Sequence, residues 1–382
     1  MMIKNVVPSL RRSVCKRKQA ADSSRKKQRS EKGGQNVVKA TFFLCFVALC
    51  LLLTSCAPGQ KTASLPASSE GQKPLAPKEI VHVWTTLPEA WIQNVLQAYA
   101  KNDSEVREYQ VLSVSEESLR MLPQLPPEER PQLLFAASEE LSALATEKAL
   151  TPLVTEMSDM LQPGLHDENY LWTGLWVDPY MVAVNREYSR RVGQFALASW
   201  QDILVKTKPN LAICDPMAVP ETAAFFYAWS SRDESDGKVF DELSALHALT
   251  KQYSRFAATP VKLVGFGDSD VAVTLSSTLK DYDERQYPLY AFRPEPGGPV
   301  RLLGVGLVQV PDAERYAPLI DWLLSSEHYS QVLQKEEGLL SVQQTIENPD
   351  LVEQWWLNTK YADRQKQQLL LRTWLERVRF GK

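Results

Sequence analysis

Residues 171–185 read Leu171-Trp172-Thr173-Gly174-Leu175-Trp176-Val177-Asp178-Pro179-Tyr180-Met181-Val182-Ala183-Val184-Asn185. The run is apolar and has no helical stripe, so it predicts an extended segment crossing the interior of the protein. The segments before it alternate. Ile80 to Trp84 reads as a buried strand, Thr85 to Pro88 as the turn out of it, and Ala90 to Lys101 as a helix carrying Trp91, Val95, Leu96 and Tyr99 on one face. Val111–Val114 and Leu133–Ser138 read as further strands, and a helix Glu139–Lys148 leaves from Ser138 as its N-cap. Strand–helix alternation predicts an α/β fold whose sheet is mostly parallel, with helices on its faces.

Beyond the crossing, Leu211–Cys214 predicts a strand ending at Asp215-Pro216, and Glu221–Trp229 a helix entered through Pro220. Val271–Leu275 and the glycine-punctuated Arg301–Val310 read as strands, and Pro318–Ser325 as a helix. The extended crossings are expected near Val177–Asn185 and Val271–Pro299. From Glu336 to Lys382 the expectation is helix throughout, with Trp355, Trp356 and Trp374 packing inward.

The N-terminus has a different character. Residues 1–55 hold 12 Lys/Arg and 2 Asp/Glu, which leaves 31 basic against 44 acidic residues, a formal −13, from Cys56 onward. So acidic a surface repels phosphate backbones, which argues against nucleic-acid binding. Ala40 to Leu53 is an uncharged run preceded by Lys39. It is shorter than the ~17–25 residues that span a bilayer and has the length of a signal-peptide hydrophobic region. Leu53-Thr54-Ser55-Cys56 resembles the bacterial lipobox, which implies cleavage before Cys56 and lipid on its sulfur; the alternative is an uncleaved N-terminal anchor. Residues 1–39 are either a basic, disordered cytoplasmic extension or lie upstream of the true start, with Val38-Lys39-Ala40 opening a compact signal peptide. Residues 59–78 are rich in Ser, Ala, Pro, Gly and Gln and read as a flexible tether.

Enzymatic chemistry has little support. His82, His166, His247 and His328 are scattered outside any metal-ligand spacing, Gly304-Val305-Gly306 lacks the third glycine of a dinucleotide fingerprint, and no Gly-x-Ser-x-Gly elbow occurs. Cys214 alone remains in the mature part besides Cys56, and reads as a small buried apolar residue. Neither a cofactor nor a metal is expected.

Five motifs occur in the order found in one family. They are Trp84-Thr85-Thr86 with Leu134-Phe135-Ala136-Ala137-Ser138, the segment Trp172–Asn185, Ser199-Trp200-Gln201-Asp202-Ile203-Leu204, Asp215-Pro216, and Ala317-Pro318-Leu319-Ile320-Asp321-Trp322-Leu323-Leu324-Ser325. Together they resemble extracellular solute-binding lipoproteins of ABC importers, nearest the ferric-iron and aminophosphonate group. The resemblance implies the two-lobed, type II periplasmic-binding architecture. Its expected parts are lobe 1 over residues 79–178, lobe 2 over 179–290, a return to lobe 1 over 291–330, and C-terminal helices over 331–382 that close the lobes.

Two departures bear on the ligand. Iron-binding members carry neighbouring tyrosines where this chain has Val273-Thr274-Leu275-Ser276-Ser277-Thr278, with Tyr282, Tyr287 and Tyr290 only downstream. The family's Ser-Gly-Thr-Gly anion grip is replaced by Met217-Ala218-Val219-Pro220-Glu221-Thr222, where Pro220 removes a donor and Glu221 adds negative charge. Strand-end and aromatic residues are the candidate contacts in the cleft: Trp84, Thr85, Thr86, Ser138, Trp176, Asp178, Tyr180, Thr222 and Ser276. The resemblance implies a monomer, lipid-anchored in the cell envelope through Cys56, that captures a small molecule or ion and passes it to an ABC permease without chemistry on it. A ligand-presenting accessory of a membrane sensor and a degenerate surface lipoprotein with a structural role remain open.

Overall fold

A computed structural model of the chain describes residues 79–101, 107–193, 197–232, 236–282, 286–358 and 364–381. The basic extension, the hydrophobic run, Cys56 and the tether lie outside the described residues.

Lobe 1 opens with β1 (Ile80–Thr85), in which Val81, Val83 and Thr85 point into the core at the period of a strand. Helix α1 (Glu89–Ala100) lays Trp91, Ile92, Val95, Leu96 and Tyr99 on the same core. Next come β2 (Glu108–Ser113), the short helix α2 (Glu116–Met121), the wholly buried β3 (Leu133–Ala137) and α3 (Ser138–Thr146). Ser138 is not the N-cap that the sequence implied. Ala137 holds that position, and Glu140 reaches back so that Oε2 accepts the Ala137 N–H at 2.9 Å, which satisfies a helix-start donor without a serine.

Strand β4 (Trp172–Asn185) leaves lobe 1 and enters lobe 2. There the chain forms β5 (Leu211–Cys214), α4 (Pro220–Ser231), α5 (Asp236–Leu249), β6 (Thr250–Ser254), α6 (Thr259–Phe266), β7 (Val271–Leu275), α7 (Ser276–Leu279) and β8 (Leu289–Phe292). The return is β9 (Gly298–Leu307), followed by α8 (Ala317–Ser325), α9 (Glu327–Glu337), β10 (Leu340–Ser341), β11 (Trp355–Trp356) and α10 (Arg364–Thr373).

The main path of the sheet runs β2-β1-β3-β9-β4-β7-β5-β6. Strand β4 belongs to both halves. Trp172 to Pro179 pairs antiparallel with β9, while Tyr180 to Val184 pairs antiparallel with β7 and Val182 to Asn185 with β8. The core follows this division. Val83, Leu96, Phe135, Trp172 and Trp176 belong to one buried cluster. Tyr180, Val182, Trp200, Phe225, Trp229 and Trp374 belong to a second, and Ala183, Ala212, Val261 and Val264 to a third on the opposite face of the lobe 2 sheet. Fully burying one large side chain contributes ~1.5–3 kcal/mol, so Trp172 and Trp176 anchor the first half of β4 firmly in lobe 1.

Two expectations are corrected. Val271–Leu275 is an interior strand of lobe 2, between β4 and β5, and the return crossing is β9. The tail after Glu336 is not helical throughout. Trp355-Trp356 is extended, because two aromatic residues of high strand propensity find a free strand edge at Gly298-Pro299 and pair with it.

At Gly304 the backbones of β4 and β9 pack closely. A Cβ there would lie 2.5 Å from the Thr173 carbonyl oxygen on β4. Gly304→Val is therefore expected to lower the unfolding free energy by about 2 kcal/mol in urea titrations. An unchanged midpoint would contradict the close approach of β4 and β9.

Candidate functional site

The two lobes face each other across a cavity of about 350 Å³. Lobe 1 supplies α2, through Glu116 and Arg120, and α3, through Glu139, Glu140, Ala143 and Glu147. Lobe 2 supplies α4, through Pro220, Glu221, Ala224 and Tyr227. Arg301 enters from the crossing strand β9, and Gln367 and Gln368 from α10. The lining thus holds five glutamates against two arginines.

Both arginines are engaged. Arg120 Nη2 lies 3.3 Å from Glu116 Oε2 one helical turn away. Arg301 Nη1 lies 3.6 Å from Glu221 Oε1 on the other lobe. Burial by itself would lower the Arg301 pKa, but Glu221, Glu140 and Glu139 outweigh it and hold the guanidinium above its ordinary value. Glu140 Oε2 accepts the Thr86 hydroxyl at 2.7 Å as well as the Ala137 N–H, yet burial still raises its carboxyl. Glu139 accepts the Asn358 amide at 3.2 Å. Glu147 caps the C-terminal end of α3, where the helix dipole disfavours negative charge.

The start of α4 carries its own negative charge. In a helix entered through Ser-Gly-Thr-Gly the free N–H groups would face the cleft. Here Pro220 has no N–H to offer, and Glu221 brings its own carboxylate to the first turn, against Arg301.

None of the nine residues expected to contact ligand is among those lining this cavity, although several flank residues that do. Thr85 is buried and its Oγ1 accepts the Leu87 N–H at 2.9 Å, closing the turn after β1. Trp84 packs at the edge of the lobe 1 core, and Trp176 lies inside it, 4.8 Å from Trp91 and stacked on Phe135 at 6.2 Å. Thr86 serves to position Glu140. Ser138 Oγ donates to Glu139 Oε2 at 3.3 Å, and Tyr180 donates its hydroxyl to the Glu221 carbonyl. Thr222 is buried; the Cys214 thiol donates to the Phe256 carbonyl at 3.4 Å, and burial pushes it up to about 11. Ser276 begins α7 against the Gly338 backbone.

Asp178 marks the crossing itself. Its carboxylate accepts the Ser277 N–H at 3.1 Å and the Ser277 hydroxyl at 2.5 Å, so it fastens β4 to α7. Its partner across the β4–β9 ladder is Arg301.

The residues that do line the cavity left a local trace in some cases. Arg301 is a lone charge in the apolar run Pro299-Val300-Arg301-Leu302-Leu303, and a charge inside a buried strand marks a special position. Glu139 and Glu140 read as ordinary first-turn acids of a helix. Their convergence with Glu221 from the other lobe has no local signature.

Other candidate chemistry is not assembled. His166 Nδ1 bonds the Asp167 carbonyl at 2.8 Å and His247 Nδ1 the Tyr253 hydroxyl at 2.9 Å. Among the described residues no group of three or more His, Cys, Asp or Glu is placed to hold a metal ion.

The architecture matches solved structures along nearly their whole length. The periplasmic binding protein AfuA from Actinobacillus pleuropneumoniae, solved with fructose-6-phosphate bound, aligns at a TM-score of 0.60 with 16% identity, over 79% of this chain and 99% of that one. The fold is that of a type II periplasmic binding protein. FutA (IdiA) from Trichodesmium, in complex with iron and citrate, aligns at 0.63 with 10% identity, over 77% and 98%. A two-component system protein mediating signal transduction aligns at 0.55 with 15% identity, over 70% and 88%. No family model matches the chain, and no curated protein does.

Burial pushes the Asp178 carboxyl up to about 6, although both Ser277 bonds oppose the shift. A folded-state value above the unfolded one means that protonation favours the fold. The wild type should therefore gain up to about 3 kcal/mol over Asp178→Asn as pH falls from 7 to below 4. Parallel stability–pH curves for the two proteins would contradict this.

Proposed function

We propose that the chain is a lipid-anchored solute-binding protein of the cell envelope, which captures a small organic cation between its lobes and delivers it to an ABC permease. One observation carries the reading: a cavity walled by both lobes in which carboxylates outnumber guanidiniums. A ligand touching both walls favours the closed arrangement and shifts the hinge equilibrium towards it.

An ammonium or guanidinium group suits these walls, since charge-assisted bonds to carboxylates are the strong ones and Tyr227 adds an aromatic face. Glu139 and Glu147 are separated by roughly 12 Å along α3 at 1.5 Å per residue, which fits an elongated ligand with two cationic ends. Dispersed carboxylates suit such a molecule better than a single metal ion, which needs its donors converged. A phosphate would meet surplus carboxylate on these walls, and an iron ion would find no group of three or more His, Cys, Asp or Glu placed to hold it among the described residues. A sensor accessory is the second reading, supported by the likeness to a two-component system protein. A permease encoded beside the gene favours import, and a histidine kinase favours sensing.

Thermal-shift and calorimetric titrations with 1,4-diaminobutane, spermidine and arginine, against glucose 6-phosphate and ferric citrate, test the ligand class. Only the cations should stabilise the protein, by ~2.7 kcal/mol at a hundredfold excess over Kd. Glu139→Gln should weaken the binding at least about tenfold, and Glu156→Gln, outside the cavity, should not. Binding by phosphate or ferric citrate alone would refute the cation and leave capture standing, whereas no binding at all would refute capture.

The anchor has its own test. Cys56→Ala should move the protein from the membrane fraction to the soluble one. Retention in the membrane would rule out lipid attachment.

A further inference from the structure

The C-terminal strand β11 places two neighbouring tryptophans in different lobes. Trp355, 3% exposed, belongs to the lobe 1 core, and Trp356, 7% exposed, to the lobe 2 core. The alternation of a strand explains how: successive side chains leave opposite faces, so one face of β11 is given to each lobe. Leu357, next on the side of Trp355, again packs against the lobe 1 core.

The backbone of this strand is tied to the crossing. Trp355 and Trp356 pair in parallel with Gly298 and Pro299 at the start of β9. Contact just before the pairing is so close that a Cβ on Gly297 would sit 2.3 Å from the Gln354 carbonyl oxygen. That carbonyl accepts Arg293 Nη2 at 2.9 Å, and the Gly297 carbonyl accepts Trp200 Nε1 at 2.9 Å. On the lobe 2 side the Trp356 ring stands edge-on to Trp229 at 5.3 Å, with the Arg232 guanidinium 4.3 Å from its centre.

We propose that Trp355-Trp356 is a third interlobe connection, a strap that fixes the angle between the lobes and so sets how far the cleft can open. Two crossing strands, β4 and β9, leave a hinge free to bend about the line between them. A third segment with one ring in each core removes part of that freedom, because any rotation must drag one indole against its packed neighbours. The strap also reaches the cleft: Asn358, two residues past Trp356, donates to Glu139 on its lobe 1 wall. The inference concerns the unliganded protein and stands whether or not the cleft binds a cation.

Interlobe distances measured by pulsed electron spin resonance test it. Spin labels attached to ketone-bearing amino acids at Glu128 in lobe 1 and Lys262 in lobe 2, both exposed, leave the five cysteines untouched. The full chain without solute should give one narrow distribution, and Trp356→Ala should widen it at least about twofold. Trp374→Leu removes a ring of the same kind from the lobe 2 core, away from the strap; it should lower the melting temperature and leave the width unchanged. Should the alanine variant fail to fold, Trp356→Leu and Arg232→Ala carry the test with the same expectation. A folded Trp356 variant with the wild-type width overturns the proposal, and so does equal widening by Trp374→Leu.

Discussion

Strand β4 must satisfy two cores with one continuous backbone, and the rest of the architecture is arranged around that constraint. Its first half needs β9 as a neighbour and its second half needs β7 and β8, so the ladder changes partners between Pro179 and Tyr180. Asp178 sits at that change of partner, bonded to Ser277 of lobe 2 and facing Arg301 across the ladder. A carboxylate this well buried is tolerated only because two donors and a nearby guanidinium compensate it. Glycine at 304 lets the paired backbones approach closely enough to hold the register.

The same arginine connects the crossing to the cleft. Arg301 leaves a strand shared by the hinge and reaches the carboxylate of Glu221 in lobe 2, with Glu139 and Glu140 of lobe 1 adding to the field that holds its charge. Its position makes the cleft floor electrostatically continuous with both walls. Because the lining still carries surplus carboxylate, an incoming cation would complete a pattern that Arg301 begins.

Much of this was legible in the sequence wherever one segment determined its own structure. The apolar, stripe-free run from Trp172 to Asn185 declared an extended crossing, and strand–helix alternation declared the α/β class. The strand at Trp355-Trp356 was hidden, because its extended form depends on a partner edge at Gly298-Pro299 that lies far away along the chain. The cleft was half visible. Pro220 and Glu221 stand at the start of α4 as the sequence places them, whereas Thr85, Thr86, Asp178 and Tyr180 make internal hydrogen bonds and lie outside the lining of the cavity. Strand-end hydroxyls and carboxylates look alike in sequence whether they face a ligand or close a turn. Only the approach of α3 and α4 from separate lobes decides which residues face the cavity.

Hydrogen exchange of the full chain, with and without saturating spermidine, tests most directly whether one cleft is built from both lobes. Slower exchange should appear together in α3 of lobe 1 and at the start of α4 of lobe 2, with β4 and β9 protected in both conditions. Protection gained in a single lobe, or on a surface away from these helices, would contradict capture between them.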